Sequence, residues 1–121
     1  MHITRLLLER QKQEIMTVTE TIKKMQEHFN PTAAAGLNKI LQLNISGDQG
    51  GTWALKIANQ ACELIPGGVE KPNLTLSLND TDWLAMVEGK LNPMNAYMTG
   101  KLKAKGDIGL ATRIANIFGL K

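Results

Sequence analysis

Apolar residues recur in two rhythms along this chain, and the change from one to the other separates helix from sheet. Leu8, Ile15, Val18, Ile22, Met25 and Phe29 fall at intervals of three, four or seven. That is the stripe of an amphipathic helix, and it predicts helix over much of residues 3 to 28. Thr17 and Glu20 form a Thr-x-x-Glu pair, whose hydroxyl and carboxylate satisfy the orphan N–H groups of a helix start. The pair marks a start near Val18. Residues 1–15 are therefore expected to form an N-terminal extension and residues 16–121 the domain proper, beginning at Met16. Asn30-Pro31 reads as a cap followed by proline at the first helical position, opening a short Ala33-Ala34-Ala35 turn that stops at Gly36.

The period then becomes two. Leu41, Leu43 and Ile45 alternate with Gln42, Asn44 and Ser46, the pattern of a strand with one buried face. After the turn Gly47-Asp48-Gln49-Gly50-Gly51, Trp53, Leu55 and Ile57 resume the alternation, with Thr52, Ala54, Lys56 and Ala58 opposite. Residues 52–58 and 62–65 predict two strands joined near Asn59-Gln60. Pro66-Gly67-Gly68 breaks the chain, and Leu74, Leu76 and Leu78 then alternate with Thr75 and Ser77 in a fourth strand. Turns rather than helices join these strands, so this part of the sheet is expected to be antiparallel, with one face covered and one wet.

Helical spacing returns near Asp80. Asn79 or Asp80 caps a helix that carries Trp83, Leu84 and Val87 and ends at Gly89. Asn92-Pro93 repeats the cap-and-proline device and opens a second short helix with Met94, Tyr97 and Met98 on one side. Lys101, Lys103 and Lys105 alternate with Leu102 and Ala104, which predicts a final strand with three ammonium groups on one face. Asp107 caps a terminal helix in which Ile108, Leu110, Ala111, Ile114, Ala115, Ile117 and Phe118 occupy most of the circumference. A helix lying on a sheet needs one apolar stripe. One that is apolar nearly all round is expected to be buried on a second side too, by another helix, a partner protein or a bound lipid.

With 121 residues the chain has room for one domain with a real core. No apolar run approaches the roughly 20 residues of a membrane-spanning helix. Leu6-Leu7-Leu8 is flanked by Arg5, Glu9 and Arg10 without a small-residue cleavage site, so no signal peptide is expected and the reading is cytoplasmic. The net charge of +3 is uneven: residues 1–89 carry −2 and residues 90–121 carry +5. Such a patch suits an anionic membrane surface, a phosphate-bearing ligand or an acidic partner. A solvated face is the plainer reading.

Candidate chemistry is sparse. Cys62 is the sole cysteine and has no local activating base, and His2 and His28 have no metal-ligand spacing. Asp80 and Asp82 read as helix-start residues rather than an acid/base pair. Gly50-Gly51 and Gly67-Gly68 lack the strand-glycine-helix context of a phosphate loop. No catalytic residue, metal or cofactor is expected, and nucleic acid is not an expected partner.

Four segments taken in order resemble the signature of the sterol carrier protein family, the non-specific lipid-transfer type. They are Asp80-Thr81-Asp82-Trp83-Leu84, Gly89-Lys90-Leu91-Asn92-Pro93, Ala96-Tyr97-Met98-Thr99-Gly100-Lys101-Leu102-Lys103 and Gly106-Asp107-Ile108-Gly109-Leu110-Ala111. Gly50-Gly51-Thr52-Trp53 is similar to the family's second strand, and the likeness runs from about Thr17 to Phe118. The resemblance implies an α+β fold: a five-stranded, predominantly antiparallel sheet with helices covering one face and a hydrophobic tunnel between the layers. It implies non-catalytic binding and transfer of a fatty acid, fatty acyl-CoA, phospholipid or sterol.

Carried over residue by residue, it places Trp83, Leu84, Val87, Met94, Tyr97 and Met98 along the tunnel. Leu102, Ile108, Ala111, Ile114, Ala115 and Phe118 complete it. Lys101, Lys103 and Lys105 are the candidates for headgroup or membrane contact. Tyr97-Met98-Thr99 stands where vertebrate members tend to have an aromatic pair and a glutamine. The ending Gly119-Leu120-Lys121 differs from Ser-Lys-Leu, so peroxisomal import is not expected. The expected partners are a lipid, transiently a membrane surface, and a partner enzyme or a second copy of the chain. The alternative function is an interaction module that presents a hydrophobic intermediate to that enzyme.

Overall fold

A computed structural model describes residues 17–118. The extension expected over residues 1–15, and the helix pattern before Thr17, lie outside the described residues. Helix α1 (Val18–Glu27) begins where the capping pair places it: the Glu20 amide donates to Thr17 Oγ1 at 3.1 Å. Asn30 then holds a turn through its side chain, which accepts from the Thr32 and Ala33 amides.

Strands β1 (Lys39–Ser46), β2 (Gly51–Ala58) and β3 (Ala61–Pro66) form an antiparallel meander. The β2–β3 turn is made by Asn59 and Gln60 at φ 53° and 58°, the two left-handed residues of a primed hairpin turn. Strand β4 (Leu74–Asn79) corrects the sequence expectation. It lies on the far side of β1 and runs parallel to it, with Leu43 beside Leu76, and β5 (Lys103–Gly106) pairs antiparallel with β4 at the edge. The sheet order is β3-β2-β1-β4-β5, five strands that are mostly antiparallel.

Because β3 and β4 point the same way, the chain must travel back along the sheet before β4 can start. Residues 67–73 make that return across the face opposite the helices. The Val69 amide donates to Gln42 Oε1 at 2.8 Å on the way, and the Ile40 amide donates to Asn73 Oδ1 at 2.8 Å at the end. Seven extended residues reach about 24 Å, enough for a six-residue strand. This strap explains a second departure. Ala54, expected on the wet face beside Gln42, has no exposed surface.

The covered face carries α1, α2 (Asp80–Val87) and α4 (Ile108–Ile117), while α3 (Pro93–Met98) precedes the β5 edge. Asn79, Asn92 and Asp107 cap α2, α3 and α4 by accepting amide hydrogen bonds. Gly89, at φ 79°, ends α2: its N–H donates to the Met86 carbonyl and the Lys90 N–H to the Ala85 carbonyl, the paired bonds that satisfy the last turn.

Leu41, Leu43, Leu55, Ile57 and Leu74 have no exposed surface on the sheet side, nor do Val18, Ile22 and Ile117 on the helix side. A side chain without exposed surface borders no space that water could enter, so these residues line no open tunnel. Phe118 closes the end of the layer, its ring 5.9 Å from Phe29. The Asn30 amide donates to the Ile117 carbonyl at 2.7 Å, and Arg113 Nη2 donates to the Ala33 carbonyl at 3.0 Å. Together they tie α4 to the turn after α1. One polar relay crosses the apolar layer: Trp83 Nε1 donates to Thr21 Oγ1 at 2.7 Å, and that hydroxyl donates to the Val18 carbonyl at 2.6 Å.

Candidate functional site

The expected lipid-contact residues fall into two sets. Trp83, Leu102, Ile114 and Phe118 are buried, and Leu84 and Ala111 are half-buried against them. The remaining positions are at the surface: Val87 is 38% exposed, Met94 64%, Tyr97 50%, Met98 76% and Ile108 50%, and Ala115 is exposed as well. These five are the large exposed apolar side chains among the described residues.

Helical geometry explains the division. In α4, Leu110, Ile114, Ile117 and Phe118 recur every three or four residues and turn onto the core. Ile108, Ala111 and Ala115 form a second stripe at the same spacing, half-buried at Ala111 and open on either side of it. The second burial expected for this helix is therefore not supplied by the described residues. In α3 only Ala96 is buried, and Met94 and Met98, one turn apart, face away from it.

A second feature lies beyond the C-terminal end of α3. An open groove of about 580 Å³ is lined by Asn44, Ser46, Thr52 and Ser77 from the strands, by Asn79 and Asp82 at the start of α2, and by Lys101 and Lys103. Ile45 and Leu78 also line it. Lys103 and Lys105 project from one face of β5, opposite Ser77 and Thr75. Lys101 lies before the strand begins, which corrects the expectation of a three-lysine strand. Gly100 ends α3 at φ 83° and joins Lys101 in the groove wall, so the lysine is aimed by the loop.

Acidic side chains near these features act as structural acceptors. The Gln49 amide donates to Asp80 at 3.0 Å and, with the Thr81 amide, holds its carboxyl below the usual carboxylate range. That bond fixes the β1–β2 turn on the start of α2. Gly47, at φ 105°, passes so close to the Asp80 carboxylate that a side chain there would collide with it. Asp107 is lowered by its 3.1 Å ion pair with Lys39 and by the Leu110 amide. Burial pushes the Cys62 thiol up to about 11, so it stays protonated at neutral pH, as a small apolar residue in a strand would. Among the described residues no His, Cys, Asp and Glu cluster could hold a metal ion, and no helix is long and apolar enough to cross a membrane.

Sequence reasoning missed the groove residues Asn44, Ser46, Thr52, Ser77 and Asp82 as a set. The alternation marked the strand residues as one polar face, but the contribution of α2 and of Lys101 has no local signal.

Comparison with known proteins adds three observations. The SCP-2 sterol transfer family pattern matches residues 20–119. Among similar proteins, hydroxysteroid dehydrogenase-like protein 2 of Xenopus laevis is 34% identical over 113 residues, a match covering 88% of this chain and 26% of that protein. Sterol carrier protein 2 of Homo sapiens is 30% identical over 103 residues, covering 83% and 19%. The chain thus spans about a quarter or less of the length of these relatives. Among solved structures, palmitated SCP2L2 from Aedes aegypti has a TM-score of 0.71 at 24% identity, covering 85% of this chain and 95% of that one. The sec-alkylsulfatase Pisa1 from Pseudomonas sp. has a TM-score of 0.64 at 22% identity, covering 79% and 15%. Both structures share the fold.

Proposed function

Since this chain belongs to the SCP-2 sterol transfer family, whose domains bind and transfer lipids, we propose that it carries a long-chain lipid without acting on it chemically. The observation that supports this most is the uncovered apolar stripe of α4. Ile108, Ala111 and Ala115 would meet one side of an acyl chain, and Leu84 and Val87 of α2 the other. Trp83, Leu102, Ile114 and Phe118 would form the floor beneath, reached as α4 moves outward from the sheet. Met94, Tyr97 and Met98 stand at the rim of such a seat, at exposures of 50% to 76%. A polar head would leave the seat at the β5 edge, where Lys101, Lys103 and Lys105 supply positive charge.

A chain of about sixteen carbons gains roughly 12 kcal/mol gross on leaving water, at about 0.8 kcal/mol per methylene. A lipid taken from a membrane is already in an apolar phase and gains far less, so exchange is reversible. Fatty acids, fatty acyl-CoA, phospholipids and sterol-like lipids are the candidate ligand classes. Palmitate is the first ligand to test, because the Aedes aegypti neighbour is described as palmitated. Native mass spectrometry of protein purified from cells is expected to find bound lipid. Palmitate is expected to displace a fluorescent fatty acid at micromolar concentration, and Ala111→Trp, which fills the seat, to weaken that binding at least about ten-fold. Absence of bound lipid together with no displacement sinks the proposal.

A second reading is an interaction module that hands a hydrophobic intermediate to an enzyme. It is favoured by the much greater length of relatives named for enzymes. A co-purifying enzyme, or a self-associated chain, without lipid would support it over the first. The family match starting at residue 20 supports reading residues 1–15 as an extension to a domain that begins at Met16.

A further inference from the structure

We infer that the groove on the open face of the sheet is a second binding site, for a soluble phosphorylated sugar or similar polyol phosphate. Its phosphate meets Lys101 and Lys103, and its hydroxyls lie along a polar row made by Ser77, Asn44 and Thr52. The inference stands apart from the lipid reading, because the lipid seat is proposed on the helix side of the sheet and this groove lies on the other.

Register brings the row together. Thr52 is opposite Asn44, Asn44 is beside Ser77, and Ser77 is opposite Lys103. The row therefore crosses four neighbouring strands, about 14 Å at the usual strand spacing. Asn44 is two residues from Gln42, so the row shares the face that the strap crosses, while Leu43 between them is buried in the core. The strap borders the row on one side, so close to Thr52 and Gln42 that a side chain on Gly68 would collide with both. On the other side stands the start of α2, with Asn79 and Asp82 in the groove lining. The result is a walled trough of about 580 Å³.

The strap also decides which polar groups are already taken. Gln42 Oε1 accepts the Val69 amide at 2.8 Å. The side chains of Asn44, Thr52 and Ser77, all half-buried, make no hydrogen bond to another described residue. Such hydroxyl and amide groups both donate and accept, and a ligand hydroxyl can take the place of solvent at each of them. Charge then selects a phosphorylated ligand. Lys101 and Lys103 share the groove, and the salt bridges among the described residues, Lys39 with Asp107 and Lys90 with Glu88, involve neither. Asp82 places a carboxylate at the α2 side, where it accepts from a sugar hydroxyl and repels a second phosphate. A ligand with one anionic end and several hydroxyls satisfies the whole groove. A bare anion leaves the hydroxyl row unused, and a neutral sugar leaves the lysines unpaired.

The test is titration of the full chain with glucose 6-phosphate, glucose or inorganic phosphate, followed by amide shifts in NMR spectra. Glucose 6-phosphate is expected to shift the amides of Asn44, Thr52, Ser77 and Lys103 and to saturate in the millimolar range, at least about ten-fold tighter than either fragment. Asn44→Leu, which fills the trough with an apolar side chain, is expected to weaken binding at least about ten-fold. Lys103→Gln is expected to weaken it about five-fold and to reduce its salt dependence. Dispersed amide spectra are expected to show both variants folded, and the exposed Lys103 position keeps the test decisive if Asn44→Leu is not. Absence of saturation overturns the inference, as does equal affinity for inorganic phosphate, or folded variants that bind like the parent. Displacement of a fluorescent fatty acid separates the two proposals. Asn44→Leu is expected to leave that displacement unchanged, and a parent that binds glucose 6-phosphate but no fatty acid refutes the lipid seat alone. Glucose 6-phosphate that itself displaces the fatty acid refutes a separate site.

Discussion

The Thr21–Trp83 relay is the most exacting test of the packing between α1 and α2. Both residues are 3% exposed, and the indole N–H has the Thr21 hydroxyl as its partner at 2.7 Å. Thr21→Val keeps the shape and removes the oxygen. The Val18 carbonyl remains in the α1 ladder, but the indole N–H is left buried and unpaired. An unsatisfied buried donor costs about 1–3 kcal/mol, so about 2 kcal/mol is expected. For a domain of this size that lowers the melting temperature by roughly 8 °C and the urea midpoint by about 1 M. Urea unfolding followed by circular dichroism measures it. The decisive form is a double-mutant cycle with Trp83→Phe: once the indole N–H is gone, Thr21→Val leaves nothing unpaired, and a coupling of about 1–2 kcal/mol is expected. A single-mutant cost below about 0.5 kcal/mol, or two costs that add within that margin, would refute the reasoning.

Two further predictions concern titration and reactivity. The Asp107 carboxyl is held below its ordinary value of 3.8 in the fold, so its contribution is complete above about pH 4 and is lost as pH falls through the lower folded value. Asp107→Asn still caps α4 but cannot pair with Lys39. Its melting temperature is expected to fall less steeply than the parent's from about pH 5 to about pH 2, and parallel profiles would count against this role. Raising the Cys62 thiol from 9.0 to about 11 leaves about a hundred-fold less thiolate at a given pH. Disulfide reagent at mildly alkaline pH is expected to react about that much more slowly with native than with urea-unfolded protein, and similar rates would show an accessible thiol instead.

Local devices were legible before any coordinates. The start of α1 at Val18, the caps at Asn79, Asn92 and Asp107, and the Asn59-Gln60 turn each depend on two to four neighbouring residues, so the chain carries them in plain order. The position of β4 was not legible. A turn-like link after Pro66 reads as a hairpin, yet residues 67–73 are long enough to cross the sheet, and only the long-range pairing of Leu43 with Leu76 shows that they do. Ala54 was misplaced for the same reason, since the strap that runs over its face belongs to another part of the chain. The relay from Trp83 to Thr21 spans 62 positions and has no sequence signal at all.

By itself the sequence determined the periods, the helix ends and the family motif. These follow from backbone sterics and from hydrogen bonds made within a turn or two. Only the tertiary structure decided which apolar residues form the core and which remain exposed. Trp83 and Met98 both sit on apolar helical stripes, and the stripe alone cannot say whether a neighbour covers it. Burial is a relation between distant segments: α1 and the sheet close over Trp83, whereas no described segment reaches Met98.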